Sequence, residues 1–159
     1  LDKINSILNN ENFNEYVKKN KRYEKDRKFC KHNIQHFLDV ARIAYILVLE
    51  NKINVSKDVV YGTALLHDIG RWVEYKENVH HEVASSKLAK QILIESGYEP
   101  EEMNLILNTI LRHREEENEK NSFAYIFYLS DKLSRNCFYC KAVDECKWSD
   151  EKKNYTIDY

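Results

Sequence analysis

Several residues of this sequence sit where its apolar pattern gives them no reason to be. His36 falls on the stripe that carries Val40 and Ile43, and His67-Asp68 follows directly on the apolar Ala64-Leu65-Leu66. His113 continues the row Ile106–Ile110, and Asp131 continues the row Phe123–Phe127. A carboxylate in an apolar row is costly unless a cation neutralises it. One histidine in such a row is satisfied by a backbone carbonyl, but that explanation has to be invoked afresh at each position. The His-Asp dipeptide alone carries little, because short motifs arise by chance. The arrangement carries more: imidazoles and carboxylates delivered inward from several helices are how bundles build metal sites. This donor mix suits Mn, Fe, Ni, Mg or Zn ahead of a thiolate-seeking metal.

The thiols form a second group. Cys137, Cys140 and Cys146 give C-x2-C-x5-C, and Cys30 or His32 is the available fourth ligand. A structural zinc at Cys30, Cys137, Cys140 and Cys146 is one reading of that spacing. Unligated reduced thiols are the second, and a disulfide or redox pair is the third.

The elements that must position these residues are helices. Three glycines and one proline in 159 residues are too few for the turns of a sandwich or barrel, so the fold class is all-α. The length fits a single domain over 1–159, with a core at about 30–136, peripheral helices within 1–28 and a Cys-containing tail at 137–159. Ile4, Leu8, Phe13, Tyr16 and Val17 are the apolar anchors of the N-terminal part. A helix is expected over about 33–51, apolar nearly all round and therefore central. A second starts at the N-cap Ser56 and runs to Gly70, a natural C-terminal stop. A third covers about Glu82–Ser96 and ends at Gly97. A fourth opens at Pro100, where the first turn tolerates proline, and leads to His113. Glu115–Glu119 reads as a loop, and a fifth helix follows at about 119–135.

Charge and length bound the partners. Lys+Arg 25 against Asp+Glu 26 leaves no global field toward nucleic acid or anionic membrane, which disfavours nucleic acid as a partner. The basic run Lys18–Lys28 reads mainly as a solvated helix face, with a phosphate or RNA contact as the lesser alternative. The longest apolar run, Ile43–Leu49, is far short of a membrane span. The sequence opens LDKINSILNN, with no apolar leader region, and cysteine usage fits a reducing compartment. A cytoplasmic protein is expected.

The combination His36-x-x-x-Val40-Ala41, Leu66-His67-Asp68-Ile69-Gly70 and Leu129-Ser130-Asp131-Lys132-Leu133-Ser134 resembles the HD-domain superfamily, whose signature is H…HD…D. The stretch FCKHNIQHFLDVARIAYIL is similar to small clostridial HD proteins. The resemblance implies a helical fold and a metal-dependent phosphohydrolase in which His36, His67, Asp68 and Asp131 coordinate one divalent ion. Relatives with two further histidines hold a second ion. Here those are His113 and His80 or His81, and Ser85, Ser86 and Leu88 at the subfamily's spacing favour His81.

With one or two ions in place, metal-activated water would cleave a phosphate ester or anhydride, Asp68 being the catalytic residue and bridge. The expected substrate is a small phosphorylated or nucleotide-like molecule. Arg71, Lys132 and Arg135 are the candidate cations for its phosphate. The two-metal form resembles symmetrical diadenosine-tetraphosphate hydrolases and the HD-GYP phosphodiesterases, although the Gly-Tyr-Pro motif of the latter is absent. A ligand-binding sensor without turnover and a di-iron oxygenase are the alternatives.

Overall fold

The computed structural model describes residues 2–116 and 119–159. At its centre is α3 (Ile34–Glu50), which buries Phe37, Val40, Ala41, Ile43, Ala44, Leu47 and Val48. Its neighbours are α4 (Lys57–Leu66) and α8 (Phe123–Leu133). Asn33 caps α3 by accepting from the His36 N–H at 3.0 Å, and Ser56 and Ser122 cap α4 and α8 in the same way. Each such cap contributes about 1 kcal/mol. Apolar surface on nearly every side explains why α3 is buried over most of its length. It turns Ile34 at its start, and Ile46 and Leu49 toward its end, to solvent.

Around this centre pack α6 (His81–Glu95) and α7 (Pro100–Arg112), which lie on each other, with α7 also on α4. Gly97, at φ 75°, closes α6 in the left-handed region that glycine occupies without strain. Pro100 opens α7 behind a reciprocal Glu99–Glu102 capping box. The N-terminal helices α1 (Asp2–Asn9) and α2 (Glu11–Tyr23) send Ile4, Ile7 and Phe13 into the same core. No strand occurs among the described residues, and the C-terminal segment contributes two short 3-10 turns, Cys137–Tyr139 and Asp150–Lys152. The fold is all-α, as the scarcity of turn residues predicts.

One expected helix is shorter than its pattern suggests. The stripe from Ser56 reads through to Gly70, but α4 ends at Leu66 and a separate helix, α5 (Arg71–Glu77), begins immediately after the turn. Side chains from elsewhere hold that turn. Asn20 of α2 donates to the Asp68 carbonyl and accepts from the Trp72 N–H, both at 2.9 Å, and Ser85 of α6 accepts from the Gly70 N–H at 2.9 Å. Gly70 itself has φ −91°, so it is not a left-handed stop. Glycine is required because a Cβ would lie 2.5 Å from the Ser85 backbone nitrogen. The expected loop at Glu115–Glu119 includes residues 117–118, which lie outside the described residues. No helix of the described residues is long and apolar enough to cross a membrane.

Candidate metal centre

Five segments deliver the His/Asp group. His36 stands in the first turn of α3, and His67-Asp68 occupies the turn after α4. His81 opens α6, His113 follows α7, and Asp131 lies in the last turns of α8. All meet at Asp68, which is 2% exposed. Its Oδ2 is 3.2 Å from His67 Nε2 and 3.7 Å from His36 Nε2. Its Oδ1 is 3.2 Å from His81 Nε2 and 3.6 Å from His113 Nε2. Asp131 Oδ1 approaches the first pair, 3.5 Å from His36 Nε2 and 3.9 Å from His67 Nε2. Two sets therefore have ligand atoms in mutual reach, His36/His67/Asp68 and Asp68/His81/His113, with Asp68 in both.

The hydrogen bonds of the other ring nitrogens fix what these imidazoles can do. His67 Nδ1 donates to the Ala64 carbonyl at 2.7 Å and His113 Nδ1 to the Ile110 carbonyl at 2.6 Å. A carbonyl only accepts, so each ring carries a proton on Nδ1 and leaves Nε2 as the nitrogen that faces inward. His81 Nδ1 faces Glu74 Oε2 at 2.9 Å, leaving its Nε2 only 3.3 Å from that of His113. Two ring nitrogens at that separation need a proton or a cation between them. Moreover, His36 Nε2, His67 Nε2 and Asp68 Oδ1 are buried without a hydrogen-bond partner. Buried polar atoms are normally paired, and divalent cations on the two sides of Asp68 would satisfy these three. The residues fit a metal ion, and the N/O donor set matches Mn, Fe, Ni, Mg or Zn.

Electrostatics keep the acids in the ligand form. Burial pushes the Asp68 carboxyl up, but its neighbours, the Arg71 guanidinium foremost, outweigh it and hold Asp68 well below the usual carboxylate range. Asp131 is likewise lowered, with the Lys132 ammonium foremost in overcoming burial. Burial takes His81 down to about 2, so this imidazole is neutral at any physiological pH.

The remaining sequence candidates divide. Arg71 faces the site, its Nε 3.3 Å from Asp68 Oδ1 and its Nη1 3.0 Å from Glu74 Oε2. Lys132 Nζ lies 2.6 Å from Asp131 Oδ2. Arg135 turns instead to the C-terminal segment, stacking over the Trp148 ring at 4.4 Å. His81 points inward whereas His80 is exposed beside Arg114. The four cysteines are free, and among the described residues they do not form a set of three within ligand reach of one another. Burial raises the Cys30 thiol, with Cys137 and Cys140 near enough to add to this. His32 is not turned to the thiols: its Nε2 lies 3.7 Å from Asp68 Oδ2. Sequence reasoning missed Asn20, whose partners at Asp68 and Trp72 lie 48 and 52 positions away, and Glu24 and Glu74, which hold the His32 and His81 rings.

The HD domain family matches residues 33–136, a span containing all six inward His and Asp residues. An uncharacterised protein of Clostridium beijerinckii is 48% identical over 159 residues, covering the whole of both chains. Ribonuclease Y of Geotalea uraniireducens is 33% identical over 100 residues, 63% of this chain and 17% of that protein. Ribonuclease Y of Mycoplasma mycoides subsp. mycoides SC is 27% identical over 101 residues, 64% of this chain and 18% of that protein. The chain thus spans under a fifth of the length of these two ribonuclease Y relatives. No solved structure matches it.

Proposed function

This chain belongs to the HD-domain family, and from that premise we propose that it is a two-metal phosphohydrolase acting on a nucleotide-like small molecule. The observation that carries the reading is the division of Asp68, one oxygen toward His36 and His67, the other toward His81 and His113. In this reading His36, His67, Asp68 and Asp131 hold one ion, and Asp68, His81 and His113 hold the other. Divalent ions so placed lower the pKa of bound water toward neutrality and polarise a phosphoryl oxygen. The protein's own part is to fix the imidazole tautomers, keep both acids ionised and set Arg71 and Lys132 beside the centre. Those two cations are the proposed phosphate contacts, and Arg135 against Trp148 is the weakest of the three.

The ribonuclease Y relatives support a phosphodiester between nucleotides as the second reading of the substrate. Lys18, Lys21, Arg22 and Lys25, which line one surface of the α2 region, would be its backbone contacts. A cytoplasmic site of action goes with either reading, since free thiols suit a reducing compartment. The test is metal content by elemental analysis, followed by phosphate and nucleotide release from a panel of nucleotides, dinucleotides and short RNA with Mn2+, Fe2+, Mg2+ or Zn2+. Turnover of the small molecules that is lost in Asp68→Asn supports the proposal. Turnover of RNA alone favours the second reading. A fully loaded protein that turns over nothing in the panel would leave a ligand-binding sensor and overturn both.

A further inference from the structure

Outside the six residues of the family pattern, a seventh inward imidazole or carboxylate faces the same centre. His32 lies in the segment between α2 and α3, 7% exposed, and its surroundings are built for it. Glu24, just past the end of α2 and 3% exposed, accepts from the His32 backbone N–H at 2.8 Å and from His32 Nδ1 at 2.5 Å. Tyr75 of α5 donates to the same Glu24 Oε1 at 2.7 Å. Glu24 takes up the Nδ1 side of the ring, so Nε2 is the nitrogen left for a further partner.

That nitrogen faces the centre. His32 Nε2 is 3.7 Å from Asp68 Oδ2, the same separation as His36 Nε2 shows. The two rings meet edge to face, with centroids 5.6 Å apart. His32 also repeats the arrangement of His67, His81 and His113, each of which places Nδ1 on a carbonyl or carboxylate and Nε2 on Asp68. Metal-ligating histidines nearly always use the second ring nitrogen in this way, because it fixes the ring and raises its basicity. His32 stands outside the two sets in tightest mutual reach, but so does Asp131, which the family pattern includes.

We propose that His32 is a further metal ligand, entering beside His36 on the Oδ2 side of Asp68 and oriented by the Glu24–Tyr75 pair. The inference rests on the metal-centre reading above and adds a donor to it. It would leave the His36-side ion with five protein donors and fewer open positions than its neighbour.

Cobalt titration of metal-free protein tests this, since visible Co2+ absorption reports the number and type of ligands independently of turnover. Wild type, His32→Ala and Glu24→Gln are compared, with circular dichroism to establish that each is folded. The expected result is that His32→Ala binds one of two Co2+ ions at least about tenfold more weakly, with a changed spectrum. Glu24→Gln, whose amide oxygen still accepts from Nδ1, shifts in the same direction by less. If wild type loads and His32→Ala loads equally with the same spectrum, this inference falls while the centre stands. If wild type takes up no cobalt, both fall. Should the variants not fold, the 15N resonances of His32 in wild type, with and without Zn2+, decide. A shift of Nε2 with Nδ1 still protonated supports ligation, and an unmoved Nε2 overturns it.

Discussion

Asp68 gives each of its oxygens to a different pair of imidazoles, while every other side chain at the centre faces one pair. This difference sets distinct outcomes for single substitutions. Asp68→Asn keeps the shape but turns one ligand oxygen into a donor and removes the charge, so both ions should be lost. His113→Ala removes a ligand from one side only, and metal content should fall from about two ions per chain to one. Elemental analysis after gel filtration checks both. Retention of two ions by His113→Ala would count against a second site at His81 and His113. Apparent affinity in Asp68→Asn should fall by more than the roughly 10–100-fold that outer partners of metal ligands typically cost.

At the scale of elements, the turn between α4 and α5 must come very close to α6, and Gly70 is where it does. An alanine Cβ there would sit 2.5 Å from the Ser85 nitrogen and 2.8 Å from Ala84 Cβ, both on a helix that cannot give way locally. Gly70→Ala should therefore cost about 1–3 kcal/mol as overpacking, and it should weaken metal binding because it parts Asp68 from His81. At Gly62 the closest atom to an added Cβ is the Tyr98 hydroxyl, at 2.7 Å, the far end of a side chain, so Gly62→Ala should cost less and spare the metal. Denaturant melts with metal titration of the two variants check the contrast. Equal losses of stability and metal would remove the assigned role of the α6 approach. The same turn shows what a sequence discloses. α3 and α7 follow from apolar periodicity because their partners are long apolar stripes. α5 has no buried residue, and its start is set by Asn20, which lies 52 positions from Trp72. His32 and Glu24 were hidden for a similar reason: their meaning depends on a fold that brings the α2–α3 segment against Asp68. His36, His67, Asp68, His113 and Asp131 were legible as polar exceptions within apolar rows, whereas His81 was told from His80 only by the spacing of the family it resembles.

Across the whole molecule, the centre gathers α3, the turn after α4, α6, α7 and α8, and the proposed His32 would add the α2–α3 segment. Without a metal ion, His36 Nε2, His67 Nε2 and Asp68 Oδ1 have no hydrogen-bond partner, although Arg71 lies beside Asp68, so the metal-free fold leaves buried polar atoms unsatisfied where these segments meet. An ion that binds only the folded chain stabilises it by about 2.7 kcal/mol at a free concentration of 100 times its dissociation constant. For a domain of this size each kcal/mol moves the melting temperature by about 2–4 °C. Two ions should then raise it by on the order of 10–20 °C, and chelation should reverse the gain. His113→Ala should keep about half of the increment. Ligands must be deprotonated to bind, and Asp68, Asp131 and His81 stay in that form well below neutrality, so the increment they support should persist as pH is lowered from 7 toward 5. Thermal melts with and without chelator, at both pH values and in both proteins, measure all three effects. A melting temperature indifferent to metal and chelator at pH 7 would mean that the cluster is held by its own hydrogen bonds and ion pairs, and that the cation assigned to it contributes nothing to the fold.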